Sequence, residues 1–212
     1  MAKHNHPIFT RVYRTIARME DSGDVGRART EAARHLHGRL LVIGLGPGED
    51  LHHLPAEVRE VVAVEPSPSM RAAAADQVAR SRQGGRPVEV IDAVGESLPL
   101  PDASVDSVLL AYVLCTVEDP DRVLAEVDRV LRPGGTVGVL EHVVAHEGTW
   151  MRRVQRAASP WWPAVAGGCR CDRDTRSALA AAGFDVGPLV QRNLVNVPPV
   201  APALIGTVRR AG

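Results

Sequence analysis

The sequence has little of several features that mark special classes of protein. Its 212 residues include only three cysteines, Cys115, Cys169 and Cys171, which are too few for a disulfide framework. Lys plus Arg equals Asp plus Glu at 25 each, and without a basic excess we expect neither nucleic acid nor a membrane as a partner. No apolar run exceeds the length of a strand, and no signal peptide is visible. We therefore expect a soluble, cytoplasmic protein.

The remaining composition and its pattern indicate one α/β domain over residues 1–212. Hydrophobic residues make up 45% and charged residues 24%, as in ordinary globular proteins. From Arg39 onward, short aliphatic runs alternate with segments of helical character, which is typical of βαβ units. The five runs are RLLVIGLG, EVVAVEP, PVEVIDA, SVDSVLLAY and GTVGVLEHV. They predict a doubly wound, mostly parallel sheet with helices on both faces.

The chain divides into four segments. Residues 1–37 have apolar residues at helical spacing and predict an N-terminal helical lid. Residues 38–145 contain the five aliphatic runs. Residues 146–175 interrupt the alternation and contain all three tryptophans, which predicts a lid insertion. Residues 176–212 predict a helix that ends at Gly183, followed by two further strands.

A glycine-rich turn indicates a ligand. Gly44, Gly46 and Gly48 follow the first strand, where they let the chain turn sharply and lie against a ligand. The dinucleotide fingerprint requires a further glycine where this chain has Glu49, and we expect a carboxylate there to face the pyrophosphate, so we disfavour a pyrophosphate. Glu65 ends the second strand, where an acid can accept both ribose hydroxyls. S-adenosylmethionine fits both motifs; a merely tight turn and a solvated glutamate are the alternative.

The order of these motifs resembles that of the class I SAM-dependent methyltransferases over residues 39–142. The matching motifs are GLGPG, VEPSPSM, GESLPLPDASVDSV and LRPGG. A closer resemblance is to the methyltransferase-like thiol S-methyltransferases, which have a type 11 methyltransferase domain. It depends on YVLCTVEDPDRVLAEVDRVLRPGGTVGVLEHV, the Gly-Cys in GGCRCDRDT, and PPVAPALIGTVRR.

The resemblance implies a Rossmann-like sheet of seven strands and S-adenosyl-L-methionine as cofactor, with S-adenosyl-L-homocysteine as product. It also implies a small-molecule acceptor, above all a thiol or dithiol. Such an acceptor could be a natural product that is methylated during its biosynthesis. Membrane-bound members of the family have an apolar N-terminal anchor, whereas this chain begins with the polar MAKHNH. We therefore expect no membrane association, and a monomer or homodimer.

The resemblance also assigns a cofactor site. Its residues are Gly44, Gly46, Gly48, Glu65, Pro66, Gly95, Glu96, Leu98 and Tyr112. Two positions depart from the family: Val42 replaces an acidic residue, and Val94 stands where many relatives have an Asp that meets the adenine amino group. Backbone groups, or a neighbour such as Asp92, would have to make these contacts.

On the acceptor side, His142 follows the fifth strand at the carboxyl edge of the sheet, where open α/β sheets bind ligands. We predict that it acts as a base or orients the acceptor, with a structural imidazole as the alternative. Tyr112, after the fourth strand, is the second catalytic candidate, with core packing as its alternative. The substrate-binding candidates are Phe9, Tyr13, His142, Trp150, Trp161 and Cys169, of which the tryptophans, with Trp162, either roof the acceptor or simply cap the sheet.

The CxC pair formed by Cys169 and Cys171 lacks the four ligands of a usual zinc site, so we predict no metal. Ordinary cysteines of the lid, a redox pair and thiols of the acceptor site stay open for these two residues. Two other functions stay open. The shared motifs bind only the cofactor, so O- or C-methylation of a quinone, phenol or polyketide is the first alternative. A SAM-binding protein without chemistry is the second, suggested by Val42 and Val94.

Overall fold

The computed structural model describes residues 10, 11, 15 and 23–211. Within this part of the chain, seven strands form one sheet in the order β3-β2-β1-β4-β5-β7-β6. The strands are β1 (Gly38–Ile43), β2 (Val58–Val64), β3 (Val88–Ile91), β4 (Val105–Ala111), β5 (Leu131–His142), β6 (Val190–Asn193) and β7 (Pro202–Val208). The predicted α/β fold with a seven-stranded, mostly parallel sheet is confirmed, and the five aliphatic runs correspond to β1 to β5.

The pairing of the strands locates the ligand edge of the sheet. Strand β1 pairs in parallel with β2 on one side and with β4 on the other, and β2 and β4 continue in parallel to β3 and β5. Strand β7 runs antiparallel to both β5 and β6. The chain order therefore reverses between β1 and β4, and ligands bind at the carboxyl ends of the strands beside such a reversal.

Helices cover both faces of the sheet, as alternate residues of β1 show. Leu41 and Ile43 pack in a cluster that includes Val127 and Leu179, whereas Val42 packs on the opposite face. The helices are α1 (Asp24–Ala33), α2 (Pro68–Gln83), α3 (Pro120–Val130), α4 (Trp150–Ala158), α5 (Trp162–Val165) and α6 (Thr175–Ala181), with a 3-10 turn at Glu49–His52. None of the helices in the described ranges has the length and apolar character needed to span a bilayer.

Helix α1 packs directly on the sheet. Ala28 and Ala32 are fully buried against Leu140 of β5 and Ile205 of β7. A Cβ on Gly138 would lie 2.4 Å from the carbonyl oxygen of Ala32, so the close approach of helix and strand requires glycine there. Residues 24–33 thus form a fixed layer of the fold. These residues belong to the predicted lid, residues 1–37, whose role as a lid stays a prediction. Phe9 and Tyr13 of that segment lie outside the described residues.

A buried ion pair joins α1 to the turn after the glycines. The Arg29 guanidinium donates to the Asp50 carboxylate, and both side chains are at least nine-tenths buried. Asp50 belongs to the 3-10 turn that directly follows Gly48. This pair therefore fixes the glycine turn against the helical layer.

Residues 146–175 pack around one buried glutamine. Gln155 of α4 is fully buried, and its Nε2 lies within hydrogen-bond distance of the carbonyl oxygens of Val143, Cys171 and Pro199, at 2.8–3.1 Å. Its Oε1 accepts from the N–H of Ala145 at 2.8 Å. One side chain thus attaches the insertion to the end of β5 and to the segment before β7.

Replacing Arg29 with Met removes the charge and keeps much of the volume. Because the Asp50 carboxylate would then be buried without its cation, the free energy of unfolding should fall by about 3 to 5 kcal/mol. Chemical denaturation measures this change.

The control is Arg27→Ala on the same helix, which breaks the exposed ion pair with Asp24 and should change stability by no more than about 0.5 kcal/mol. Equal small losses for both variants would show that the Arg29 pair does not hold α1 in place.

Candidate active site

The glycine turn and the end of β2 form one hydrogen-bonded unit. The Glu65 carboxylate is buried and accepts from the N–H of Gly46 and of Ser67, each at 2.9 Å. These two bonds orient the Glu65 carboxylate at the end of β2, beside the glycine turn. The guanidinium of Arg71 bridges the Glu65 carbonyl oxygen and the Asp92 carboxylate at 2.6 and 2.8 Å. The turn, Glu65 and Asp92 therefore lie along one edge of the sheet.

Among the described residues, none fills the space beside Gly46. This glycine has a φ of +54°, and a Cβ there would meet no heavy atom of the described residues within 4 Å. Glu49 points elsewhere: its buried carboxylate accepts from Nε2 of Gln77 on α2 at 2.7 Å. The case against a pyrophosphate therefore depends on the missing glycine, and not on a carboxylate that faces the ligand. The residues of this turn fit an adenosine ligand.

The candidates from GESLPL each have a structural contact. A Cβ on Gly95 would lie 2.8 Å from Cγ2 of Ile43, so the loop approaches β1 closely. Glu96 accepts from the N–H of Glu118 and of Asp119 and so caps the turn before α3. Leu98 is buried in the core. Their roles toward a cofactor, like that of the half-buried Pro66 after β2, stay predictions.

Tyr112 contacts both His142 and Arg29. Its φ is +56°, which is uncommon for a residue with a large side chain and is often found at functional sites. Its ring centroid is 4.4 Å from that of His142. The Arg29 guanidinium lies over the same ring, 5.6 Å from its centroid. The two catalytic candidates are therefore in contact.

A buried carboxylate holds the turn that follows Tyr112. Glu141 is fully buried and accepts from the N–H groups of Val113, Leu114 and Cys115 at 2.8, 2.7 and 3.2 Å. Burial raises the pKa of Glu141 to about 7, and the three N–H donors act in the opposite direction. Since Glu141 precedes His142 in β5, this network fixes Cys115 beside that imidazole.

Two cysteines and one histidine converge at this point. Nδ1 of His142 is 3.9 Å from Sγ of Cys115 and 3.6 Å from Sγ of Cys169. A hydrogen bond from Cys115, with that from His142, lowers the pKa of Cys169, whereas the shared hydrogen bond and burial raise the pKa of Cys115. One thiolate is thus favoured in the pair. Burial raises the pKa of Cys171, which is not part of this trio, to about 12.

The loop that carries Cys169 is attached to the turn that carries Cys115. The N–H of Arg170 donates to the carbonyl oxygen of Cys115 at 2.7 Å. The Arg173 guanidinium donates to the carbonyl oxygens of Leu114 and, at 2.6 Å, Val117. The two sulfur atoms are therefore held from both sides.

Comparison with known proteins identifies the family of the chain. Residues 41–139 match the model of a methyltransferase domain family. Human thiol S-methyltransferase TMT1A is 36% identical over 146 residues, which are 68% of this chain and 59% of that protein. The chain belongs to the class I SAM-dependent methyltransferases. The family identifies S-adenosylmethionine as the cofactor.

Two further comparisons extend this result. A SAM-dependent methyltransferase from Thermotoga maritima superimposes with a TM-score of 0.69 at 23% identity, over 97% of this chain and 98% of that one, and supports the fold alone. The ubiquinone/menaquinone C-methyltransferase UbiE of Hahella chejuensis is 49% identical, but only over 57 residues, which are 27% of this chain and 23% of that enzyme. The chain spans less than two thirds of the length of the curated relatives it matches.

The methyltransferase structure adds residues that the sequence patterns did not select. Cys115 had no assigned role, although it lies three residues beyond Tyr112 at the same sheet edge as His142. Trp162, and neither of the selected tryptophans, packs beside the cysteines. Trp150 and Trp161 are 62% and 55% exposed, so their contact with an acceptor stays a prediction.

The role of Glu141 in this methyltransferase can be measured as stability. Glu141→Ala leaves three buried N–H groups without their acceptor, so the free energy of unfolding should fall by about 3 kcal/mol or more. Glu141→Gln keeps one acceptor oxygen and should lose less. Urea denaturation of both variants gives the comparison.

The matched control is Glu147→Ala, which removes an exposed carboxylate paired with Arg152 and Arg156 and should cost no more than about 0.5 kcal/mol. If the Ala and Gln variants of Glu141 were both as stable as this control, the carboxylate would not organise the turn.

Proposed function

We propose that this protein transfers a methyl group from S-adenosylmethionine to the sulfur of a small thiol or dithiol. The main observation in support of this proposal is the 36% identity with human thiol S-methyltransferase TMT1A. The polar groups beyond the carboxyl ends of β4 and β5 support it, because an acceptor there lies beside the glycine turn. Natural-product thiols, a cytoplasmic location and a monomeric or homodimeric state belong to the same proposal.

In this proposal the chain holds the cofactor through its backbone and one acid. Gly44, Gly46 and Gly48 let the turn lie against the methionine half, and Glu65 accepts the ribose hydroxyls. The bound cofactor supplies a methyl group already activated on a sulfonium. The protein therefore needs to place a nucleophile in line with that group, and well-oriented approach can contribute about 7 to 11 kcal/mol.

On the acceptor side, Tyr112 and His142 form the wall nearest the glycine turn. A small thiol has an ordinary pKa of about 8.5 and attacks as the thiolate. In our proposal the imidazole of His142 orients the sulfur and takes its proton, while Tyr112 holds the imidazole through the ring contact at 4.4 Å. Trp162 closes the site on the side of the insertion.

The alternative is methylation of carbon or oxygen. The specific observation in its favour is the short match to the C-methyltransferase UbiE. That match covers only 27% of the chain. A segment of this length can consist of cofactor-binding motifs and therefore says little about the acceptor. We therefore rank a quinone, phenol or polyketide second, and a SAM-binding protein without chemistry third.

The test is a transfer assay with S-adenosylmethionine whose methyl group carries deuterium. One acceptor panel contains small thiols and dithiols, and the other contains phenols and quinones. Mass spectrometry should find the labelled methyl group on thiols, together with one S-adenosylhomocysteine per transfer. Label on phenols or quinones alone would replace the proposed acceptor, and cofactor binding without transfer to either panel would favour the third reading.

Glu65→Ala tests the cofactor site. Removing two charge-assisted hydrogen bonds, each worth roughly 1.5 to 3 kcal/mol, should weaken S-adenosylmethionine binding by at least about a hundredfold in calorimetry. The matched control is Glu60→Ala on the same strand, which removes an exposed carboxylate paired with Arg39 and should leave the affinity unchanged. Similar affinities for the two variants would mean that Glu65 serves only to shape the turn.

A further inference from the structure

The trio of Cys115, His142 and Cys169 has the composition of a metal site. The two Sγ atoms and a ring nitrogen of His142 all lie within 4.8 Å of one another. Thiolate and imidazole are the ligands that zinc prefers in proteins. The sequence-based prediction of no metal considered Cys169 with Cys171; the structure instead brings Cys169 to a cysteine and a histidine from two other segments.

The distances agree with tetrahedral coordination. With Zn–S near 2.3 Å and Zn–N near 2.0–2.1 Å, tetrahedral angles place a sulfur and a nitrogen ligand about 3.6 Å apart. The observed separations between Nδ1 of His142 and the two sulfurs are 3.6 and 3.9 Å. The two sulfurs lie within 4.8 Å of each other, so a small adjustment of these side chains would seat an ion among the three groups.

The ligands are also held in place by the surrounding backbone. Glu141 fixes the turn at Cys115, and the Arg170 N–H ties the Cys169 loop to the carbonyl oxygen of Cys115. The Tyr112 ring supports the imidazole. Such outer contacts orient ligands before the ion arrives and add to affinity.

We propose that Cys115, His142 and Cys169 bind one Zn²⁺ ion and leave its fourth position open. Three protein ligands with one open position are the pattern of catalytic zinc sites, whereas structural sites are closed by a fourth residue. The two cysteines are buried while His142 is only half-buried, so the open position lies on the side of the imidazole and Tyr112.

The open position takes the sulfur of the acceptor; this part of the inference rests on the proposed thiol methylation. With the ion bound, the lone pair of the His142 imidazole is used for coordination, so His142 no longer acts as the base of the metal-free proposal. The thiol instead loses its proton to solvent water through the opening and binds as the thiolate. The acceptor sulfur then forms a bond to the methyl carbon, the bond from that carbon to the sulfonium breaks, and its electron pair stays on the sulfur of S-adenosylhomocysteine. The thioether product is a weaker ligand than the thiolate, which favours release.

The experiment uses the whole chain, reduced and stripped of metal with a chelator. Zn²⁺ is added, unbound ion is removed by desalting, and bound zinc is measured by mass spectrometry, with the expected result of about one ion per chain. Co²⁺ serves as a coloured substitute and should give the absorption of a cobalt–thiolate bond. Failure of the reduced wild-type chain to bind either ion would overturn the proposal.

Three variants locate the site. Cys115→Ser and Cys169→Ser should each reduce bound zinc to below about one tenth of an ion per chain, whereas Cys171→Ser, the matched control two residues from Cys169, should keep the full amount. Calorimetry with S-adenosylmethionine checks that each variant is folded. Equal zinc in Cys169→Ser and Cys171→Ser, or a Cys115–Cys169 disulfide with no zinc uptake after reduction, would overturn the assignment.

The catalytic part is tested separately from the proposed acceptor. Because a metal-bound thiol is fully deprotonated while a free thiol at neutral pH is only a few per cent thiolate, zinc should raise thiol turnover at least about tenfold. Equal rates with and without zinc would overturn the role of the ion while thiol methylation itself stands. Zinc binding with turnover of phenols alone would keep the metal site and reject the thiol acceptor.

Discussion

The buried carboxylate of Glu141 organises the carboxyl edge of the sheet. An ionisable side chain without solvent contact is unfavourable unless several donors surround it, and here three consecutive N–H groups do so. Three adjacent N–H groups can converge on one side chain only if the backbone turns sharply after β4. That turn follows the left-handed conformation of Tyr112. The position of Cys115 beside His142 and Cys169 therefore depends on the hydrogen bonds that the Glu141 carboxylate accepts.

A second buried charge connects this edge to the glycine turn. Arg29 pairs with Asp50 beside the turn and lies over the ring of Tyr112, which also contacts the imidazole of His142. These contacts form an unbroken series from the cofactor turn to the acceptor side. The methyl-transfer geometry in our proposal thus depends on side chains that are fixed at both ends by burial and charge, as expected of a preorganised site.

Local patterns in the sequence were enough to predict the sheet and the glycine turn. Aliphatic runs such as Val61 to Val64 alternate with helical segments, and this periodicity depends only on neighbouring residues. The trio of Cys115, His142 and Cys169 could not be predicted in this way, because its members come from three segments that are distant along the chain. The sequence pairs Cys169 with Cys171 because only one residue separates them. The turn held by Glu141 brings Cys115 to Cys169 instead. Gln155 was likewise invisible, since its partners are backbone groups that any sequence supplies.

The attachment of the insertion through Gln155 has a consequence for how acceptors can change. Its hydrogen bonds go to main-chain atoms of Val143, Ala145, Cys171 and Pro199, and main-chain atoms are the same whatever side chains surround them. The segment between Gln155 and Cys169 can therefore accumulate substitutions without losing its anchor. Under the proposed function, an enzyme built in this way diverges toward new acceptors by changing one short segment, while the cofactor half of the molecule stays as it is.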